Sequence, residues 1–326
     1  MAETEADQDN HGGERWERDA LARLASASLA EQRRARRWGI LFKSLVLLYL
    51  FAVLLVAINA GPLFGGDFAK RTGPHTALVD VQGLIASSSD ANADRIATGL
   101  RRAFEDPNTR GVIVRINSPG GSPVQSGMIY DEIRRLRQAH PDTPVYAVAT
   151  DLCASGGYYV AAAADRIYAS QASMVGSIGV RFGGFGFVQA IDELGIERRL
   201  ITAGENKAML DPFLPEDPED VAHVERMIGT VHDQFIEDVR AGRGKRIDTD
   251  AHPDLFSGLV WTGEQAIDKG LVDALGSPGF VAREVVGAEE IVDFTPQKDF
   301  LERLSDRMSA AVAETLRTQA LVPNWQ

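Results

Sequence analysis

The sequence predicts an α/β domain with a largely parallel sheet, preceded by a single transmembrane helix. From residue 76 to about 290, short β-branched runs alternate with runs of helical spacing, and glycine-rich loops follow two of the predicted strands. A predominantly apolar run long enough to cross a bilayer precedes this region. The chain therefore divides into a largely disordered tail, a transmembrane helix, a linker, a folded domain and a polar C-terminal tail with weak helical patterning, at residues 1–37, 38–58, 59–75, 76–290 and 291–326.

The apolar run of residues 38–58 predicts where the chain lies in a cell. About 20 such residues, rising 1.5 Å each, cross a hydrocarbon core of roughly 30 Å. Four arginines lie within residues 33–37, whereas only Lys70 and Arg71 lie close behind the run, so the positive-inside rule places the N-terminus in the cytoplasm. The folded domain is then extracytoplasmic. In a bacterium with two membranes, this means a single-pass protein of the inner membrane with a periplasmic domain.

A buried core helix and a cleaved signal peptide are the alternative interpretations of this run. The run is longer and more uniform than a core helix, and the residues ahead of it far exceed the n-region of a signal peptide. Ile58 also fits poorly at the small-residue position of a cleavage site ending at residues 59–60. We therefore favour an uncleaved anchor.

Composition excludes several classes of function. The chain has 326 residues and a formal net charge of −12, which argues against a nucleic-acid partner because such a partner requires a basic face. Its single cysteine, Cys153, excludes an intrachain disulfide. Spacings typical of metal sites, such as HExxH and CxxC, do not occur, so we expect neither a metal nor a cofactor.

Local patterns predict the elements of the folded domain. Short runs that suit a strand, β-branched at 111–116, predict strands at 77–81, 111–116, 145–149 and 166–169, and the repeated helix-then-strand pattern predicts another at 197–201. Apolar residues at helical spacing predict helices at 92–104, 125–138, 156–164, 188–194 and 219–239. Thr262 and Gln265 have the spacing of a capping box, which predicts a further helix.

Two glycine-rich loops follow predicted strands, at the sheet edge where sites of α/β proteins collect. Asn-Ser-Pro-Gly-Gly occupies 117–121, and its Gly120 and Gly121 allow a backbone to approach a ligand and point N–H groups at an oxyanion. Ser155 follows the strand at 145–149 and precedes a predicted helix, whose dipole favours a serine alkoxide. Each feature also has a purely structural interpretation, since glycine pairs form turns and serines cap helices.

A serine nucleophile needs a base, because its hydroxyl is weakly nucleophilic alone. None of the six histidines lies in a glycine-rich loop or at the end of a predicted strand, although distance along the chain does not exclude a Ser-His-Asp triad. Lys207, just beyond the strand predicted at 197–201, is the alternative base, and a solvated loop lysine is its structural interpretation. Cys153, two residues before Ser155, is a rival nucleophile.

Four segments together resemble the bacterial signal peptide peptidase A family, the Ser-Lys peptidases of family S49, in its short single-domain form. They are the loop at 117–121, Ala-Ser-Gly-Gly-Tyr-Tyr at 154–159, Val-Gly-Ser-Ile-Gly-Val at 175–180 and the run at 204–213 that contains Lys207. They occur in the family's order within residues 76–290. The resemblance implies a ClpP/crotonase-like fold with repeated β-β-α and βαβ units.

The resemblance also implies a role for each candidate residue. Ser155 is the nucleophile, Lys207 is the general base and then acid, and Ser177 orients the lysine amine. Backbone N–H groups of Gly120, Gly121 and Gly156 form the oxyanion hole.

At the level of function, the resemblance implies a membrane-anchored endopeptidase that degrades cleaved signal peptides or other apolar peptides. It implies a homo-oligomeric ring, in which the serine and lysine pair within one chain or across neighbouring subunits. Two other classes remain: a crotonase-type acyl-CoA enzyme on the same fold, and a non-catalytic membrane scaffold that keeps the motifs for folding.

Overall fold

The computed structural model describes residues 34, 36–53 and 73–296, in two units that divide after Arg71. In the first unit, residues 36–53 form a helix whose residues are all exposed. Among the described residues, no helix combines the length and the apolar character needed to cross a membrane. The last part of the predicted span, residues 54–58, lies outside the described residues, as do most of the predicted N-terminal tail, nearly all of the linker and residues 297–326.

Residues 73–296 build one eight-stranded sheet with the order β6-β5-β3-β2-β1-β8, in which β4 pairs with β3 and with β7. The strands are β1 His75–Gln82, β2 Thr109–Ser118, β3 Val145–Ala154, β4 Arg166–Ala169, β5 Met174–Gly176, β6 Val260–Thr262, β7 Ala274–Leu275 and β8 Ile291–Asp293. All pairs are parallel except β5 with β6. The predicted α/β class with a largely parallel sheet is therefore confirmed.

Along one of its edges, strand β3 pairs with two different strands in succession. Its residues 146–149 pair with β4, whereas its residues 152–154 pair with β5. Strand β3 thus runs five residues beyond its predicted end and reaches Ala154, directly before Ser155. The sheet also continues past residue 290, since β8 pairs with β1.

The main helices follow the strands and cover the sheet. They are α1 Ala93–Glu105, α2 Pro123–Ala139, α3 Gly156–Ala162, α4 Val188–Glu193, α5 Pro218–Arg243 and α6 Gly263–Asp268. Asn92 caps α1 by accepting a hydrogen bond from the Arg95 N–H, and the predicted capping box of Thr262 and Gln265 begins α6.

The core lies against the central strands. Val79, Val112, Val114 and Ile116 are buried in one large cluster with the inner faces of the helices. Burial of each such aliphatic side chain stabilises the fold by about 1.5–3 kcal/mol. One predicted strand was wrong: residues 197–201 form no regular structure and are exposed. Only Ile201 in this run is β-branched, and the charged residues Glu197, Arg198 and Arg199 gain nothing from burial in a sheet.

Candidate active site

Ser155 occupies a sharp turn between a strand and a helix. Strand β3 ends at Ala154 and helix α3 begins at Gly156, and Ser155 between them has φ 54° and ψ −122°. Its side chain does not cap the helix, so the expected N-cap hydrogen bond is absent. A non-glycine residue in such a region costs about 1–3 kcal/mol and persists where packing enforces it. This strained strand-to-helix turn is the geometry that presents a nucleophilic serine.

The loop of Gly120 packs directly on this turn. A Cβ atom placed on Gly120 would lie 2.6 Å from the Gly156 nitrogen and 2.7 Å from the Ser155 Cβ. The φ of Gly120 is also positive, at 93°. Only glycine combines this approach with this conformation, so the structure brings together the two loops that the sequence singled out.

The N–H of Gly120 is already engaged, because it donates to the Ser118 hydroxyl oxygen at 3.0 Å. In this conformation, Gly120 therefore contributes close backbone approach rather than a free donor to an oxyanion hole.

The backbone N–H groups of Gly121 and Gly156 lie close to the Ser155 turn. The Ile85 N–H donates to the Gly120 carbonyl and the Ser122 N–H donates to the Ile85 carbonyl, so this parallel bridge leaves the N–H of Gly121 on the opposite side. The Gly121 nitrogen lies 3.3 Å from where a Cβ of Gly156 would be. The Gly156 N–H opens α3 and has no intrahelical acceptor. Two adjacent N–H groups beside a serine are what an oxyanion hole requires.

Ser177 lies beside Ser155 at the same edge of the sheet. Strands β3 and β5 pair in parallel with Ala154 opposite Gly176, so each serine is the first residue after its strand. The Ser155 N–H donates to the Gly176 carbonyl at 2.8 Å. Ser177 also has a positive φ, 52°, and its N–H donates to the Leu259 carbonyl at 2.6 Å. The chain thus places two conformationally strained serines on neighbouring strands.

Lys207 lies in a turn on the surface of the chain. Its N–H donates to the Gly204 carbonyl at 3.2 Å, and the residue is exposed. Within residues 73–296, the Lys207 side chain forms no ion pair and no hydrogen bond with either Ser155 or Ser177. In the single chain, the two serines and the glycine loop come together, and the exposed predicted base forms no hydrogen bond with either serine.

The region around Lys207, residues 181–217, is called here the lysine segment, and none of its residues is buried. It has some internal structure, because Phe187 stacks on Phe213 at 5.5 Å and Arg198 pairs with Asp211 at 2.7 Å. Its apolar side chains are nevertheless exposed, up to 81% for Phe185 and 98% for Ile201. The exposed large apolar residues of the segment are Phe182, Phe185, Phe187, Leu194, Ile196, Leu200, Ile201 and Phe213.

The rival nucleophile Cys153 is excluded by its surroundings. Its side chain is fully buried in the core, and burial raises the pKa of its thiol to about 12. A thiol that is both inaccessible and protonated does not act as a nucleophile.

A histidine base is not found beside Ser155. Five of the six histidines lie in the described residues, and none of their rings is hydrogen-bonded to Ser155. His232 does come to the site indirectly: its Nε2 lies 3.2 Å from the carbonyl oxygen of Ile178, the residue after Ser177. No sequence signal indicated His232, because it lies within a long helix 54 residues further along the chain.

Comparison with known proteins gives the family of this fold and site. The model of Peptidase family S49 matches residues 137–286, which include Ser155, Ser177 and Lys207. A putative protease of Synechocystis sp. is 30% identical over 210 residues, which cover 64% of this chain and 73% of the relative. The chain belongs to peptidase family S49, a family of serine-type peptidases.

Other relatives are longer than the matched region. A putative signal peptide peptidase SppA of Enterococcus faecium is 30% identical over 206 residues, which cover 61% of this chain and 59% of that protein. A Brucella abortus protein named Na(+)/H(+) antiporter NhaA is 42% identical over 205 residues, which cover 63% of this chain and 27% of that protein. This chain therefore matches less than two thirds of the length of either protein.

Proposed function

We propose that this chain is a serine endopeptidase on a ClpP/crotonase-like fold, with Ser155 as nucleophile and Lys207 as general base. The observation that carries the proposal is the strained turn at Ser155, with the N–H groups of Gly121 and Gly156 beside it. Strain of this kind is retained where function requires it, and paired donors stabilise the charge that develops on an acyl carbon's oxygen.

The chemistry follows from these positions. The Ser155 hydroxyl attacks the carbonyl carbon of a peptide bond while the neutral amine of Lys207 accepts its proton. The negative oxygen of the tetrahedral intermediate is bound by the N–H groups of Gly121 and Gly156. The Lys207 ammonium then protonates the leaving amine, and a water molecule hydrolyses the acyl-enzyme by the same steps. Ser177, next to Ser155, orients the Lys207 amine.

Lys207 reaches Ser155 in a homo-oligomeric ring, on this proposal, with serine and lysine contributed by neighbouring subunits. The support is the lysine segment: none of its residues is buried, and it carries several exposed large apolar side chains of a kind that single chains rarely leave in water. Burial of this segment against a second copy would also remove the Lys207 amine from solvent, which favours the neutral form that a base needs.

The location and the substrates are also part of the proposal. The apolar run at 38–58 anchors the chain in the inner membrane, with the N-terminus in the cytoplasm and the catalytic domain in the periplasm. The substrates are apolar peptides such as cleaved signal peptides. Exposed apolar side chains flank the glycine loop and support this choice: Leu84 precedes the residue that bridges to Gly121, and Val124 and Met128 lie one turn apart at the start of α2.

The test is cleavage of an apolar fluorogenic peptide by the full chain in detergent. Ser155→Ala and Lys207→Ala should each lower kcat by about 10⁴-fold or more, whereas Lys245→Ala, which removes an exposed lysine elsewhere, should leave it unchanged. The rate of the native chain should rise with pH, because only the neutral amine accepts a proton.

Two results would overturn the proposal. One is full activity in either Ser155→Ala or Lys207→Ala, and the other is a flat rate between about pH 6 and 9. Covalent labelling of Ser155 by a fluorophosphonate separates the enzyme from a non-catalytic scaffold, because only an activated serine reacts.

A further inference from the structure

Helix α5 contacts the element that follows Ser155. It has 26 residues, a length of about 39 Å, and its buried residues Val224, Phe235, Val239 and Arg243 fall within one face of about 100°. On this face, the ring of Phe235 stacks on Tyr159 of α3, with centroids 4.6 Å apart.

The contact between α5 and α3 is close and rigid. The Tyr159 hydroxyl donates to the Asp238 carboxylate, and a Cβ on Gly242 would lie 1.9 Å from the Ala162 carbonyl oxygen. Tyr159 in turn donates its N–H to the Ser155 carbonyl at 2.9 Å. The C-terminal half of α5 is therefore held in place relative to the turn that carries the nucleophile.

His232 lies on the same face of α5, one turn before Phe235. Its Nε2 lies 3.2 Å from the Ile178 carbonyl oxygen, and because a carbonyl only accepts, Nε2 carries the proton of this hydrogen bond. On the other side of Ser177, the Ser177 N–H donates to the Leu259 carbonyl. The peptide groups before and after the Ser177–Ile178 pair are thus both held by hydrogen bonds.

These bonds bear on the conformation of Ser177. Its φ of 52° is unfavourable for a residue with a Cβ, so the backbone would relax to negative φ if either restraint were lost. Relaxation would rotate the Cα–Cβ bond and redirect the hydroxyl. Helix α5 contacts Ile178 through His232 and contacts α3 through Phe235. It therefore links the position of Ser177 to that of Ser155.

We propose that His232 is a positioning residue of the peptidase site: by donating to the Ile178 carbonyl it keeps Ser177 in the conformation that directs its hydroxyl at the lysine amine. The inference rests on the proposed function, because it assigns His232 a role within the Ser155–Lys207 mechanism. His232 touches neither substrate nor the reacting atoms and acts through Ser177.

Two polar substitutions of His232 distinguish a role in positioning Ser177 from a role in packing alone. In His232→Gln the amide nitrogen reaches about as far as Nε2, whereas in His232→Asn it is one bond shorter and falls short of the Ile178 carbonyl. The measurement is kcat and KM for peptide cleavage by the full chain in detergent, with the rate of Ser155 labelling by a fluorophosphonate and the thermal unfolding midpoint. His140→Leu, at the end of α2, is the control for loss of an imidazole elsewhere.

We expect His232→Asn to lower kcat and the labelling rate by about 10- to 100-fold with KM nearly unchanged, and His232→Gln to remain within a few-fold of the native chain. Equal kcat values for the two variants would overturn the inference, whether both are fully active or both equally impaired. If the native chain depends on Ser155 and Lys207 while His232→Asn is fully active, this inference fails and the proposed function stands. If activity depends on neither Ser155 nor Lys207, the proposed function fails first.

Discussion

The proposed site has two parts: a serine side, which is the Ser155 turn with the Gly120 loop, and a lysine side, which is the lysine segment. They differ in how much of their packing this chain supplies. Ser155 is followed by Gly156, Gly157 and Tyr158, all buried, and its turn is bounded by the Gly120 loop, β5 and α5. The lysine segment, residues 181–217, contains no buried residue and exposes aromatic side chains. The residues proposed as nucleophile and oxyanion donors are thus packed together within one chain, whereas the proposed base lies in an exposed part of the chain.

The largest effect expected from this difference is complementation between inactive chains. Ser155→Ala and Lys207→Ala should each be inactive, but their co-expression with two different tags should yield mixed assemblies with about a quarter of the native activity. This fraction follows because, in random assembly, half of the chains keep the serine and half of their neighbours keep the lysine. Activity at the level of the single variants, in assemblies shown to contain both tags, would mean that serine and lysine pair within one chain.

A second experiment compares one glycine from each side. Gly120→Ala should lower kcat by about 10²- to 10³-fold, because the new Cβ would displace the loop from Ser155 and move the oxyanion donors with it. Gly184→Ala, in the lysine segment, has no atom within 4 Å of the new Cβ and should leave the thermal unfolding midpoint of the chain unchanged. The measurements are kcat for peptide cleavage and the thermal unfolding midpoint, each taken for both variants and the native chain. A native kcat in Gly120→Ala, or an equal loss of kcat in the two variants, would contradict the proposed difference between the serine side and the lysine side.

The smallest effect is expected at Cys153, which lies on the serine side but inside the core. Cys153→Ala should keep activity within about two-fold and lower the free energy of unfolding by about 1 kcal/mol, since only one buried sulfur is lost. A thiol reagent should leave the folded native chain unmodified and react only after denaturation, because burial keeps the thiol inaccessible and its pKa raised. Inactivation by the reagent in the folded state would show that the serine side opens to solvent.

The elements that the sequence predicted well are those whose signals are local. The strand at 166–169 and the capping box at Thr262 agree with the structure, and the helix predicted at 219–239 begins one residue earlier and ends four residues later. Periodicity and capping act within a few residues, so they are readable without a fold. The strand predicted at 197–201 is absent: its apolar signal consists of Leu200 and Ile201 alone, and strand formation depends on packing that a local pattern does not encode.

By itself, the sequence determined the α/β class, the glycine loops and Ser155 as the candidate nucleophile, because strand and helix periods place those loops at the carboxyl ends of strands. Only the tertiary structure decided that Ser118 engages the Gly120 N–H and that the Gly121 N–H faces away from Ile85. It also brought His232 to the carbonyl of Ile178, next to Ser177, and left Lys207 on the surface. The physical reason is that donor availability and burial depend on partners distant in the chain, which no local pattern encodes.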